Sequence, residues 1–312
     1  MTDFNTFLNQ GWSDHAAEPA AVFARCQDAT NLVEEPGQLA ALGILAAHVS
    51  GEHFGRWDEG AAFLDSLRGH ASYRSDEPSG RQLHLSKASL HLASGDGHAA
   101  ERDLAAVASP EDHPASPRVR MLAATSAALA GRGRTAQAMT LFEEALALAA
   151  YDPPASDPAA RALAVTGNNL AVELEQAPDR DAAGTRLMKT AAATARTYWE
   201  RVGNWVNVKI AEVRLAHTHL AADEADVALG HARAALSLCD EQDAPDAHRF
   251  YPWVAESLAL HALGDIAAAL LASGHAERAL ATMDDDQWPG AEADYESLRD
   301  NLSTDSPPGR VP

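Results

Sequence analysis

Lysine is nearly missing from this chain: only Lys87, Lys189 and Lys209 occur among 312 residues. Arginine carries most of the positive charge, and 24 basic residues face 45 acidic ones for a net charge of −21. That balance repels phosphate backbones, and no local basic patch offsets it, so nucleic acid is excluded as a partner. Cysteine is equally scarce. Cys26 and Cys239 stand far apart, which gives neither metal-ligand spacing nor a disulfide framework and fits a reducing cytoplasm. No apolar run reaches the ~18 residues that a membrane-spanning helix needs. The opening MTDFNTFLNQGWSDH lacks both a basic n-region and an apolar h-region, so no signal peptide is expected. Aromatic residues are few as well, at 6 %.

Alanine is abundant instead, at roughly a fifth of the chain. Alanine is the best helix former and a poor strand former, so packed helices with close interfaces are expected. Apolar residues at 46 % against 22 % charged mark a folding chain, and the length allows one large domain or two ordinary ones. Helical patterns run almost end to end, and no alternating strand of four or more residues stands out. Ser116-Pro117 and Asp157-Pro158 place a capping side chain before a proline at the first helical position. Gly95 and Gly274 follow apolar runs, as helix ends do.

The helical pattern repeats. The clearest unit is VRMLAATSAALAGRGRTAQAMTLFEEALAL, residues 119–148, with small residues at Ser126, Ala138 and Ala145, Gly133 at the turn and Phe142 as filler. Taking the small residue of the second helix as anchor gives Ala20, Gly60, Ala100, Ala138, Ala183, Ala228 and Ala279. Five residues before each anchor stand His15, Gly55, Gly95, Gly133, Pro178, Asp223 and Gly274, the expected turns. Spacings between anchors are 40, 40, 38, 45, 45 and 51 residues.

This pattern resembles the tetratricopeptide repeat, in a stretched form. TGNNLAVELEQ (166–176) is similar to the start of a repeat of the kinesin-light-chain type. The resemblance covers residues 36–283 and implies an all-α fold: an α-solenoid of about seven antiparallel helix pairs wound into a superhelix. It implies one repeat domain over 1–302, with an atypical hairpin at 1–35 and a capping helix at 291–302. The tail, 303–312, is expected to be disordered.

Such a solenoid presents the first helices of its pairs on a concave face, where partners bind. In the repeat register that face includes Arg120, Asn168, Asn169, Lys209, Arg214, His217 and His261. Asn169 and Arg214 occupy equivalent positions of consecutive repeats. In heat-shock co-chaperones of the resembled family, an Asn and an Arg at such positions help clamp a peptide carboxylate. Here Ala123 and Ala127 stand where that family places Lys and Asn, and Ile210 replaces another Lys, so a carboxylate clamp would be incomplete.

Other constellations read as structural. His84 and His91 share a helix face, but Lys87 between them would repel a cation. His217 and His219 point to different faces. Asp284-Asp285-Asp286 lacks a second acidic motif and reads as a solvated loop or a helix start. Tyr198, Trp199, Trp205, Phe250, Tyr251 and Trp253 gather at two joints between repeats and read as core. No catalytic, cofactor-binding or metal-binding set emerges. The expected protein is a cytoplasmic, non-enzymatic scaffold whose partner is a protein or peptide. The alternative is a regulator that encloses a small molecule.

Overall fold

The computed structural model describes residues 3–284 and 290–303. Asp285, Asp286 and the tail from 304 onward, expected to be disordered, lie outside the described residues. Among the described residues there are fifteen α-helices and no strand. The first eight are α1 (Phe4–Asp14), α2 (Pro19–Ala29), α3 (Pro36–His48), α4 (Trp57–Leu67), α5 (Pro78–Ser94), α6 (Gly97–Ala105), α7 (Ser116–Ala130) and α8 (Thr135–Leu148). Then follow α9 (Pro158–Gln176), α10 (Ala182–Val202), α11 (Trp205–Leu220), α12 (Ala225–Glu241), α13 (Phe250–Ala262), α14 (Ile266–Leu280) and α15 (Ala291–Ser303). The chain divides into two compact units, Met1–Leu163 and Ala164–Pro312. Within each, helices pair in chain order and each pair packs on the next, the all-α solenoid class of packing.

A recurring turn makes the pairs. Gly55, Gly95, Gly133, Asp223 and Gly264 all have positive φ, between 59° and 94°. This left-handed residue lets the chain reverse, and glycine adopts it without a Cβ clash. In four pairs the next amide donates to the carbonyl five residues back: Asp96 to His91, Arg134 to Leu129, Glu224 to His219 and Asp265 to Leu260, at 2.8–3.0 Å. That is the Schellman closure, which satisfies a carbonyl otherwise orphaned at the helix end. The second helix then starts at once. Asp96 and Asp265 cap it by accepting from the amides of Ala99 and Ala268.

Small residues set the distance between paired helices. Ala88 and Ala100, and Ala216 and Ala228, stand twelve residues apart and are fully buried or nearly so. In two pairs a serine takes the first position and donates across it, Ser126 Oγ to Ala138 O and Ser257 Oγ to Ala269 O, both at 2.8 Å. This identifies the true anchor of the last pair. The sequence placed its turn at Gly274 and its anchor at Ala279. Gly274 lies inside α14, and the turn is Gly264 with Ala269 as anchor. The apparent 51-residue spacing therefore contracts to 41. His15 and Pro178, also expected at turns, are not among the positive-φ residues.

One pair departs from the rule in a specific way. After α3 the chain makes a π-helical turn, Val49–His53, before Gly55. Its closing bond, Arg56 N to Ser50 O at 2.8 Å, reaches six residues back instead of five. One residue has been added to the end of that helix.

In the first unit, Phe4, Phe7 and Phe23 pack with Leu39, Leu42, Leu45, Leu64 and Leu67. Leu85, Ala88 and Leu104 continue the core with Met121, Leu122 and Ala145. The polar stretch of α5 turns toward α6. His84 Nδ1 lies 3.0 Å from Asp103 Oδ1, Lys87 Nζ 3.5 Å from the same oxygen, and His91 Nε2 3.6 Å from Oδ2. Burial works against the Asp103 carboxylate, but the His84 hydrogen bond and the Lys87 charge hold its pKa below the ordinary value. In the second unit, Phe250, Val254 and Leu258 pack with Ala276, Ala279, Tyr295 and Leu298.

Two glycines test this account with opposite signs. A Cβ on Gly167 of α9 would lie 2.6 Å from the Ala191 carbonyl oxygen of α10, so Gly167→Ala should force the helices apart. The expected loss is about 1–3 kcal/mol in urea unfolding. Gly230 of α12 meets nothing within 4 Å, and Gly230→Ala should gain about 0.5–1 kcal/mol from helix propensity.

Candidate functional site

The second unit contains a cavity of about 390 Å³. It is lined by Val172, Glu175 and Gln176 of α9, by Lys209, Ile210, Val213, Arg214 and His217 of α11, by Tyr251 and Val254 of α13, and by Asp294 of α15. Except for α15, these are the first helices of successive pairs. On α11 the lining recurs with helical spacing, so a single face of that helix forms one wall.

Polar groups converge there under strain. Arg214 Nη1 donates to Glu175 Oε2, and Thr218 Oγ1 donates to Glu175 Oε1 at 2.6 Å. Even so, burial raises the Glu175 pKa against the opposing pull of Arg214 and Thr218. Lys209 is 1 % exposed and donates to the His248 carbonyl at 3.3 Å. Burial lowers its pKa. His217 is pushed down to about 3, first by burial and then by the charge of Arg214. Tyr251 donates to Asp294 Oδ2 at 2.8 Å, and burial with that carboxylate raises its pKa. Four lining groups are thus displaced toward their neutral forms. Arg214 Nε is buried and has no acceptor among the described residues. A concentration of perturbed ionisable groups in one concavity makes it the candidate site.

Three of the residues expected on the inner face, Lys209, Arg214 and His217, line this cavity together. The others stand elsewhere. Asn169 is exposed and accepts from Asn168 Nδ2 at 3.3 Å, and neither asparagine lines the cavity. His261 is half-buried near the end of α13, with a buried Nδ1 that has no partner among the described residues. Arg120 belongs to the first unit and donates to Gln82 Oε1 at 3.1 Å. Burial lowers its pKa.

The sequence reading passed over Glu175, Gln176 and Asp294. Glu175 lies inside TGNNLAVELEQ, the stretch that resembles a repeat start. A signal was present, since Glu175 is one full heptad beyond Asn168 on the same helix face. Asp294 had no signal, because its helix read only as a polar cap. Of the aromatic group, Phe250 and Tyr198 are buried, while Trp253 stacks on His275 at 4.4 Å and Trp205 meets His248 edge-on at 5.1 Å.

The perturbed groups make stability depend on pH in a defined direction. The folded pKa of Lys209 lies below its ordinary value of 10.5. Between the two values the unfolded chain holds the extra proton, so raising the pH stabilises the fold. Lys209→Met should remove that alkaline gain and raise stability at pH 7 by about 1–3 kcal/mol, read by urea unfolding at pH 7 and at about pH 10. The folded pKa of His217, about 3, likewise lies below its ordinary 6.5. Acidification through that window favours the unfolded chain, and His217→Asn should flatten the dependence.

No protein-family model matches the chain, and no curated protein matches it. Among solved structures, it is similar to the crystal structure of BtubC (BKLC) from P. vanneervenii, at 16 % identity and a TM-score of 0.46. That similarity covers 74 % of this chain and 91 % of the other.

Proposed function

We propose that this protein is a non-enzymatic scaffold of the tetratricopeptide-like class that binds a peptide segment of a protein partner in the cavity of its second unit. One observation carries the reading. Lys209 and Glu175 are both held against their ordinary charged forms around a single concavity, beside His217 and Tyr251, whose neutral forms burial favours, and Arg214 Nε is buried with no acceptor among the described residues. Such an arrangement weakens the fold, and sites that weaken the fold are kept for function.

The occupant follows from the lining. Val172, Ile210, Val213 and Val254 offer apolar contact, and Ile210 is 44 % exposed, high for a large apolar side chain. Arg214 lines the cavity, and its guanidinium group can donate to a peptide carbonyl. The charge of −21 favours a basic or neutral segment over an acidic one. Lys209, Arg214 and His217 are the contacts proposed here from the inner-face set. Asn168, Asn169 and His261 would contribute only to a segment that runs on along α9 and α13, and Arg120 only to a second contact on the first unit. The two buried free thiols, Cys26 and Cys239, favour a reducing, cytoplasmic setting. A small molecule is the second reading, and the volume of about 390 Å³ is what favours it.

Selection from a random-peptide library on the intact chain tests this. Enriched peptides should bind in the micromolar range, and Ile210→Glu or Arg214→Ala should weaken them at least ~10-fold while Gly230→Ala leaves them unchanged. A library that yields no such peptide, beside a metabolite that stabilises the chain in a thermal-shift screen, would transfer the cavity to the small-molecule reading.

A further inference from the structure

The first unit holds a cluster that the peptide reading does not use. His15 is the C-cap of α1, His48 is the last residue of α3, and His53 ends the π turn. All three are half-buried, and one ring nitrogen from each lies within 4.8 Å of the other two. Their rings form a nearly even triangle, with centroids 4.9, 5.3 and 5.0 Å apart. We propose that His15, His48 and His53 bind one late first-row divalent metal ion of the Zn²⁺ class.

Geometry supports this at three levels. His48 Nε2 and His53 Nε2 are 3.3 Å apart. Two imidazoles on a tetrahedral zinc, each at about 2.05 Å, place their nitrogens ~3.3 Å apart. That edge of the polyhedron is already formed. One ring nitrogen of His15 lies within 4.8 Å of the other two, so closing the remaining edges requires a movement of up to about 1.5 Å, within reach of a side chain at a helix end.

The backbone creates the pair. In an ordinary α-helix, residues five apart point ~140° away from each other. The added residue of the π turn brings positions 48 and 53 onto one face. A one-residue insertion that leaves the rest of the repeat intact, and that assembles two imidazoles, is the kind of local departure found at functional sites.

Surrounding groups orient the rings. Glu52 Oε1 lies 2.9 Å from His48 Nδ1, and the Trp12 carbonyl oxygen lies 2.5 Å from His15 Nδ1. Each acceptor holds the proton on Nδ1, so the lone pair is on Nε2, the nitrogen by which His48 meets His53 at 3.3 Å, and imidazole ligands are held in this way in metal sites. The Trp12 ring covers His15 and His48 at 5.5 and 5.2 Å. Arg132 donates to the His53 carbonyl at 2.7 Å, while Glu52 stands on the His48 side of the cluster. A set of imidazoles suits Zn²⁺, Ni²⁺ and Cu²⁺ and does not suit Mg²⁺ or Ca²⁺, which require oxygen ligands. Three protein ligands leave a fourth position open for water or another donor.

The test uses the full chain without a histidine tag, stripped with a chelator and titrated with ZnCl₂ by calorimetry. One Zn²⁺ per chain with micromolar or tighter affinity is expected, and Co²⁺ in its place should give the intense visible absorption of a tetrahedral, nitrogen-rich site. His15→Gln, His48→Gln and His53→Gln should each weaken Zn²⁺ binding at least ~10-fold, and Glu52→Gln by about 10-fold. His219→Gln, in the second unit, should leave it unchanged. Affinity weaker than ~1 mM, or affinity indifferent to all three histidine variants, overturns the proposal. Should the variants lose helical circular dichroism, the Co²⁺ spectrum of the unaltered chain decides, and the spectrum of the hydrated ion overturns it.

Discussion

Two backbones brought close enough to touch are what the rest of the molecule depends on. Ala88, Ala100, Ala216 and Ala228 are buried, and the serines at 126 and 257 bond directly to the backbone of the paired helix. Van der Waals attraction is gained only at that separation, and a gap of an ångström forfeits much of it. The requirement fixes both ends of the pair. The first helix must end in a reversal tight enough to bring its partner back at contact distance, and the left-handed residue with its closing bond provides the reversal.

That constraint made much of the fold legible. Gly55, Gly95, Gly133 and Asp223 were marked as turns from spacing alone, and all four carry positive φ. The error at Gly274 has a physical cause. In an alanine-rich segment both Gly264 and Gly274 follow apolar runs, so composition does not separate them. The residue after the glycine does. Asp265 caps α14 as Asp96 caps α6, whereas His275 has no such role and the helix runs through it. The candidate site was legible where it lies on one helix, at Lys209, Arg214 and His217. It was not legible where it depends on an approach between distant segments, at Glu175 and Asp294. The histidine triad was the least accessible. Positions 48 and 53 do not share a face of a regular helix, and a π turn leaves no compositional trace.

The two polar features differ in what they do to the fold. Around Asp103, opposite charges meet and the carboxylate keeps its proton off despite burial. That cluster joins α5 to α6 and satisfies its members. Around the cavity of the second unit, Glu175 and Lys209 both lean toward neutrality, so the fold carries groups it would be more stable without. A network that satisfies itself has no need of a partner. Around the cavity, Arg214 Nε is buried with no acceptor among the described residues.

The local closure of each pair has a kinetic consequence. Each closing bond joins residues only five or six apart, and the interface it creates is complete within about 30 residues of chain. Contacts of such short sequence separation cost little loop entropy, so chains built this way fold quickly for their length. During synthesis, α5 and α6 have their whole interface before α7 has emerged from the ribosome, and the growing chain need not wait for its C-terminal end to begin burying its alanines.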